Sequence, residues 1–552
     1  MARLGLTAAT AVVVSVLSGL SFGVLAPAAA AALTGKVTSA EEGAMEGVVV
    51  SARRDGSTIR ISVVTDAQGQ YAIPASKIEP GSYTITIRAA GYDLDGSGVA
   101  NIATDKTASV DLKLKRTHNL AAQLTNADWM SSLPEAPARR GLASCTTCHT
   151  VQRILDSKYT ADEFMELIPR MMRYGAMSKP NHPQIPPDRR ATSAPQGEVL
   201  TRMAQYFASH NRSGGRTPGY ELKTAPRPSG RATRVIMTEY ELPRPEITEP
   251  HDVVVDRDGT VWYSDFGALF IGSLDPKTGK VTEYPLPANK PGAPVGSLDL
   301  QFDGDGNLWT AMMYQASIAR LERRTGKVTA YPLPQEFDNP RVQIGMLDPR
   351  HAHVDGKVWF SEGGTRTFYR LDVASGKFEH IEPFKALPRG APHGAYGISS
   401  DAQNNLWFMD FADRNVGRTD KTGATTIYPV PTPQSRPRRG HMTDDGRLVF
   451  AEFSADKVGV FDTKTEKFQE FALTQHFAPY DAVMDRNGEL WTGGMSTDTI
   501  ARIDSKTGAT VNYLLPMSTN VRRVFVDNTT TPVTFWVGNN HHGNIVKLEP
   551  ME

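Results

Sequence analysis

Residues 249–287 read EPHDVVVDRDGTVWYSDFGALFIGSLDPKTGKVTEYPLP, four short apolar stretches separated by Asp-Gly, Phe-Gly and Thr-Gly turns. Each stretch is too short for a helix and rich in β-branched and aromatic residues, so each predicts a strand. The unit then recurs. The segments DGNLWTAMM, DGKVWFSEG, NNLWFMDF, DGRLVFAEF, NGELWTGGM and VTFWVGNN place Trp309, Trp359, Trp407, Val449, Trp491 and Trp536 after Trp262, at steps of 47, 50, 48, 42, 42 and 45 residues. Repeats in the forties with four strands apiece predict a β-propeller, here seven-bladed and spanning 234–552. RVIMTEYELP (234–243) is an outer strand with no blade before it, and the last repeat, ending GNIVKLEPME, lacks one. The two chain ends are therefore expected to share a blade and close the ring.

A chain of 552 residues exceeds what one hydrophobic core supports, so further domains are expected. Lys plus Arg and Asp plus Glu balance at 60 each, without long runs of one sign. The balance gives no electrostatic reason for binding nucleic acid or an anionic membrane. At the start, Arg3 precedes an apolar run that ends in Ala-rich triplets. This pattern predicts a secretory signal over 1–32 and a periplasmic or secreted protein; the run 4–25 is also long enough to serve as a membrane tether.

Residues 36–115 alternate apolar and polar positions between turn signals, which predicts a small antiparallel β-sandwich. The segments TDAQGQY (65–71), PGSYTITIRAAGY (80–92) and the closing ASVDLKLK resemble the carboxypeptidase regulatory-like domain, a transthyretin-like sandwich. That resemblance implies a non-catalytic spacer or docking module. Likeness to starch-binding sandwiches adds carbohydrate as a partner, through Tyr71, Tyr83 and Tyr92. Residues 213–233, SGGRTPGYELKTAPRPSGRAT, read as a linker.

Between them, residues 117–212 lose the strand pattern and gain helical periodicity. In TADEFMELIPRMMRYG, Thr160 and Glu163 form a capping box, and Phe164, Leu167, Ile168, Met171 and Met172 share one face. This small all-α unit holds the chain's only cysteines, Cys145 and Cys148, in CTTCH with His149 adjacent. Cys-x-x-Cys-His is the haem c attachment pattern: two thioethers to the vinyl groups and an axial imidazole. A redox dithiol or half a zinc site would use the same residues, but the βαβ context of the first and the further ligand pair of the second are missing. The unit resembles a class I cytochrome c domain. Met171 is the first candidate for the sixth iron ligand, with Met177 and His182 behind it.

The repeats, residues 249–287 above all, resemble the blades of streptogramin B (virginiamycin B) lyase. The resemblance implies a carbon–oxygen lyase with a histidine base and a bound Mg2+. Glu249, Pro250 and His251 match the family's Glu-x-His, and Asp265 stands fourteen residues after His251, where the family has Glu. The shorter Asp, and a pattern that opens the first repeat instead of a late one, leave structural blade-to-blade bonding as the alternative role. Three residues beyond each blade tryptophan position stand Asp265, Met312, Glu362, Asp410, Glu452, Gly494 and Asn539, so four carboxylates are expected to converge on the channel. His351, His353, His393, His441 and the pairs Arg438-Arg439 and Arg522-Arg523 fall near inner-strand starts, which suits a polar or anionic small molecule.

Elimination moves no net electrons, so a tethered haem would be idle in a strict lyase. The expectation is therefore a redox-linked or lyase-type enzyme acting on a small polar molecule. The alternative is a non-enzymatic electron carrier with a periplasmic redox partner, whose propeller and sandwich dock a dehydrogenase or a carbohydrate surface.

Overall fold

The computed structural model describes residues 31–186, 194–212, 219–340, 342–363, 366–385 and 393–551, with Met1 and Leu387. Most of the expected signal segment, 2–30, and the first part of the expected linker, 213–218, lie outside the described residues. The protein is mainly β and multidomain; among the described residues its α-helices lie between 126 and 210. Among the described residues no helix is long and apolar enough to cross a membrane.

In the C-terminal region, six four-stranded antiparallel sheets follow one another between Pro250 and Leu514. The innermost strand of each packs beside the next, and Val521–Asp527 packs beside Pro250–Val255, which closes the circle. One local device recurs. Asp256, Asp303, Asp401 and Asp485 each use one carboxylate oxygen to accept backbone N–H groups of the following turn, and the other to accept the indole N–H of Trp262, Trp309, Trp407 and Trp491 at 2.9–3.2 Å. The turn thereby fixes the buried indole; Gly259, Gly306 and Gly488 supply the positive φ it needs, near +80°.

Strand Val235–Glu241 pairs with Asn544–Pro550, as the unmatched ends of the repeat require. Its other edge pairs with Ile59–Val64 of the N-terminal sandwich, Thr238 opposite Ile61. The sandwich sheet and the last propeller sheet therefore form one eight-stranded sheet. The alternation of strand side chains divides the residues between two cores: Ile236 joins the sandwich interior, while Val235 and Met237 join the propeller interior with Val49 and Val64. Arg53–Glu241, Arg60–Glu239 and Lys77–Glu549 ion pairs span the same seam. The first sandwich strand begins at Ala31, before the expected start at residue 36.

Six of the innermost strands carry a bulge at their second and third residues, among them His251-Asp252, Arg438-Arg439, Tyr480-Asp481 and Arg522-Arg523. The bulges turn charged residues onto the propeller axis. Arg439 donates to Asp252 at 2.8 and 2.6 Å and to Asp299 at 2.5 Å, and Arg523 donates to Asp252 at 3.1 Å and to the Leu300 carbonyl at 2.5 Å. All four side chains are at most 6 % exposed. Burial alone would raise the Asp252 carboxyl, but Arg439, His251 and Arg523 hold it well below the usual carboxylate range.

Two outcomes follow. Ile236→Ala should cost about 2–4 kcal/mol and lower the amide-exchange protection of Ile59–Val64 together with that of Asn544–Pro550, read by exchange mass spectrometry. Asp252→Asn leaves two buried guanidiniums to share Asp299 as their nearby carboxylate and should cost about 3–5 kcal/mol in denaturant unfolding. Because its folded pKa is depressed, the Asp252 contribution is full above the unfolded value near 4 and is lost as pH falls below it; the mutant should show a weaker acid dependence in that window.

Candidate functional site

At the propeller mouth Glu249 and Asp265 lie side by side, whereas His251 is bonded elsewhere, and all three are buried. His251 is fully buried, with Nδ1 2.7 Å from Asp252 Oδ1 and Nε2 3.1 Å from the Tyr480 hydroxyl, which in turn bonds Tyr396. Burial lowers its pKa to about 4, against the opposing Asp252, so the imidazole is neutral with both nitrogens engaged. Asp265 accepts from the Gly267 N–H at 2.8 Å and the Glu249 N–H at 3.4 Å, and burial lifts it to about 6. Glu249 is raised by burial, opposed by Lys179, and its Oε2 has no partner.

The cover comes from the helical unit. Lys179 Nζ donates to the Thr248 carbonyl at 2.6 Å, and His182 Nε2 lies 3.1 Å from the Gly267 carbonyl. Met177, 1 % exposed, joins a cluster with Phe266, Leu298 and Met313. The expected open funnel is therefore plugged.

Among the described residues no three of Asp265, Glu362, Asp410 and Glu452 bring their oxygens within 4.8 Å of one another. Glu362 accepts from the Gln343 N–H at 2.7 Å and Asp410 from the Gly394 N–H at 2.8 Å, repeating the Asp265–Glu249 bond that fastens the loop entering the inner strand. Glu452 is driven up to about 8 by burial and the adjacent Glu470. His441 pairs with Asp481 at 3.0 Å, His351 bonds Ser400, and His353 is exposed. Among the described residues, His393, Asp410 and Asp413 are the one set of at least three such side chains whose ligand atoms lie within 4.8 Å of one another. The sandwich tyrosines are also inside: Tyr71, Tyr83 and Tyr92 are at most 5 % exposed, with hydroxyls bonded to Val110, Glu79 and Glu42. Their rings are packed in the sandwich interior.

The helical unit is built as its sequence suggests, with Thr160 and Glu163 closing the capping box and Phe164 and Ile168 buried. Helix Arg140–Cys145 ends in a turn in which the Cys148 N–H donates to the Cys145 carbonyl at 3.4 Å. Neither cysteine is in a disulfide, and burial drives Cys145 up to about 12. His149 Nδ1 lies 3.0 Å from the Thr150 carbonyl, which makes Nε2 the lone-pair nitrogen, and burial keeps the ring neutral. Met171 ends its helix 38 % exposed.

The turn rests on the propeller. Asn520 donates to the Thr146 carbonyl at 2.9 Å, Arg522 to the Thr147 carbonyl at 3.0 Å, and His541 Nε2 lies 3.2 Å from the Thr146 carbonyl. A cavity of about 1620 Å³ opens beside it, between sandwich, helical unit and propeller, with Cys148, His149, His541 and His542 in its wall. This exceeds a typical small-molecule cleft of roughly 300–1,000 Å³. His541 Nδ1 is enclosed without a partner, and burial, with Arg522 nearby, lowers that ring to about 3. Sequence reasoning missed His541, although it stands only two residues past Asn539, one of the positions read from the repeat.

Residues 389–551 match the Virginiamycin B lyase family and residues 32–115 match the carboxypeptidase regulatory-like domain. No curated protein matches the chain. Among solved structures it is similar to a catalytically inactive virginiamycin B lyase from Staphylococcus aureus with quinupristin, at 24 % identity and a TM-score of 0.49, covering 57 % of this chain and 100 % of that one. A streptogramin B lyase structure aligns at 24 % identity and a TM-score of 0.48, covering 58 % and 100 %. The C-terminal region is a virginiamycin B lyase-like propeller, and the N-terminal unit is a carboxypeptidase regulatory-like domain.

Proposed function

We propose that the chain is an exported c-type haem protein that passes electrons to a periplasmic redox partner, with a seven-bladed propeller and the sandwich as the platform that holds its cytochrome-like helical unit. The observation that carries this reading is the seating of CTTCH on the propeller mouth, its Thr146 and Thr147 carbonyls bonded by Asn520, Arg522 and His541. The donor set fits the group: two cysteines three residues apart and outside any disulfide, an adjacent neutral imidazole, an orphaned Nδ1 on His541 and a cavity large enough for a macrocycle. Cys145 and Cys148 would form the thioethers and His149 Nε2 would ligate the iron. Bound there, haem supplies one-electron chemistry.

The chain's own residues fix the surroundings. Thr150 holds the His149 tautomer, Asn520 and Arg522 hold the turn, and Met177 closes the mouth beneath it. The lyase-type alternative is less well supported, because a base must reach a carbon-bound proton and His251 is sealed with both nitrogens engaged. A redox-linked enzymatic role would place its small polar substrate in the cavity beside His149 instead of in the channel.

When the protein is produced in a host that matures cytochromes c, pyridine haemochrome analysis should give one covalent haem per chain. Cys148→Ala should move the haemochrome band to that of a haem retaining one free vinyl group, while propeller unfolding is unchanged. Wild-type protein carrying no covalent haem overturns the proposal.

A further inference from the structure

The helical unit's methionines are poorly placed to complete the ligand set that a haem held by His149 would need. Met171 is 38 % exposed at the end of its helix. Met177 is committed elsewhere, packed at the propeller mouth with Phe266, Leu298 and Met313. The other candidate donors in the cavity wall come from the linker-side segment and the propeller, and most are engaged. Lys179 Nζ donates to the Thr248 and Pro245 carbonyls, Met517 sulfur accepts from Arg60 and Asn544, and His542 Nε2 bonds Ser518 at 2.7 Å. His541 differs. Its Nε2 faces the Thr146 carbonyl at 3.2 Å, a bond that places the proton on Nε2 and leaves the Nδ1 lone pair without a partner in an enclosed position. The same bond anchors the ring to the residue after Cys145.

We propose that His541 of the propeller supplies the second axial nitrogen of the haem, so that the iron joins the helical unit to the propeller. The inference rests on the haem reading above. The residues fit a neutral imidazole pair: Thr150 sets the tautomer of His149 as Thr146 sets that of His541, each carbonyl holding the ring nitrogen that would face away from the metal. A bis-imidazole iron would sit at a lower potential than one with a methionine ligand.

The test uses the full-length haem-loaded protein and spectroscopy, not turnover. The ferric protein should be low-spin and lack the far-red sulfur-to-iron band of methionine ligation. His541→Ala should convert it to high-spin iron that added imidazole returns to low-spin, and His541→Met should keep low-spin iron and raise the midpoint potential. Met171→Leu, Met177→Leu and His542→Ala should leave the spectrum unchanged. The sulfur band in the wild-type protein overturns the proposal even if no His541 variant folds; so does an unchanged spectrum in His541→Ala, or loss of low-spin iron in Met171→Leu, Met177→Leu or His542→Ala. Absence of covalent haem from the wild type defeats the haem reading and this proposal with it, and is distinguished from the other outcomes by the haemochrome assay.

Discussion

Strand Val235–Glu241 is the constraint on which the rest of the architecture depends, because both of its edges are used. One edge completes the last propeller sheet against Asn544–Pro550, and the other continues into the sandwich through Ile59–Val64. Closure of the ring and placement of the sandwich are thus a single set of backbone hydrogen bonds. With the sandwich fixed, the helical unit between residues 117 and 212 has little choice of position. It is held from both sides: Gln123 bonds the Tyr92 carbonyl and the Gly91 N–H of the sandwich, while Lys179, His182 and the CTTCH turn bond the propeller. The expected linker contributes too, since Arg227 pairs with Glu42 and the Ala225 N–H donates to Asp128.

A second feature, the charge network on the propeller axis, explains why a lyase-like propeller need not be an open funnel. Arg439 and Arg523 neutralise Asp252 and Asp299 inside the ring, and His251 is drawn into the same network through Asp252. Among the described residues Arg438 pairs with no carboxylate, and it lies 4.1–5.1 Å from the centres of the Tyr480, Phe453, Tyr396 and Phe411 rings. Buried cations satisfied by aromatic faces and paired acids form a wall, not a binding surface.

Much of this was legible in the sequence because it is repetitive or local. The tryptophan spacing marks the sheets, the Asp-Gly turns mark their hairpins, and the Thr160–Glu163 pair marks a helix start. The positions three residues past each tryptophan do fall at equivalent places, as the pairings Pro250–Asp265, Ala395–Asp410 and Pro437–Glu452 show. What the repeat cannot convey is what covers it. Met177 reads as a candidate iron ligand, yet its partners are Phe266, Leu298 and Met313, more than eighty residues away in sequence. For the same reason the repeat does not show that His251 is enclosed, and the meaning of His541 lies in a contact with Thr146, 395 residues earlier.

The doubly used strand also has a consequence for assembly order. Its sandwich partner, Ile59–Val64, lies well before it in the chain, whereas its propeller partner lies some three hundred residues after it. Loop closure over the shorter span costs less entropy. The sandwich can therefore hold strand Val235–Glu241 extended, with one edge bare, while the intervening sheets form, and the last sheet is then templated on a strand already in register. The N-terminal domain would thus act as a built-in mould for a ring that closes last.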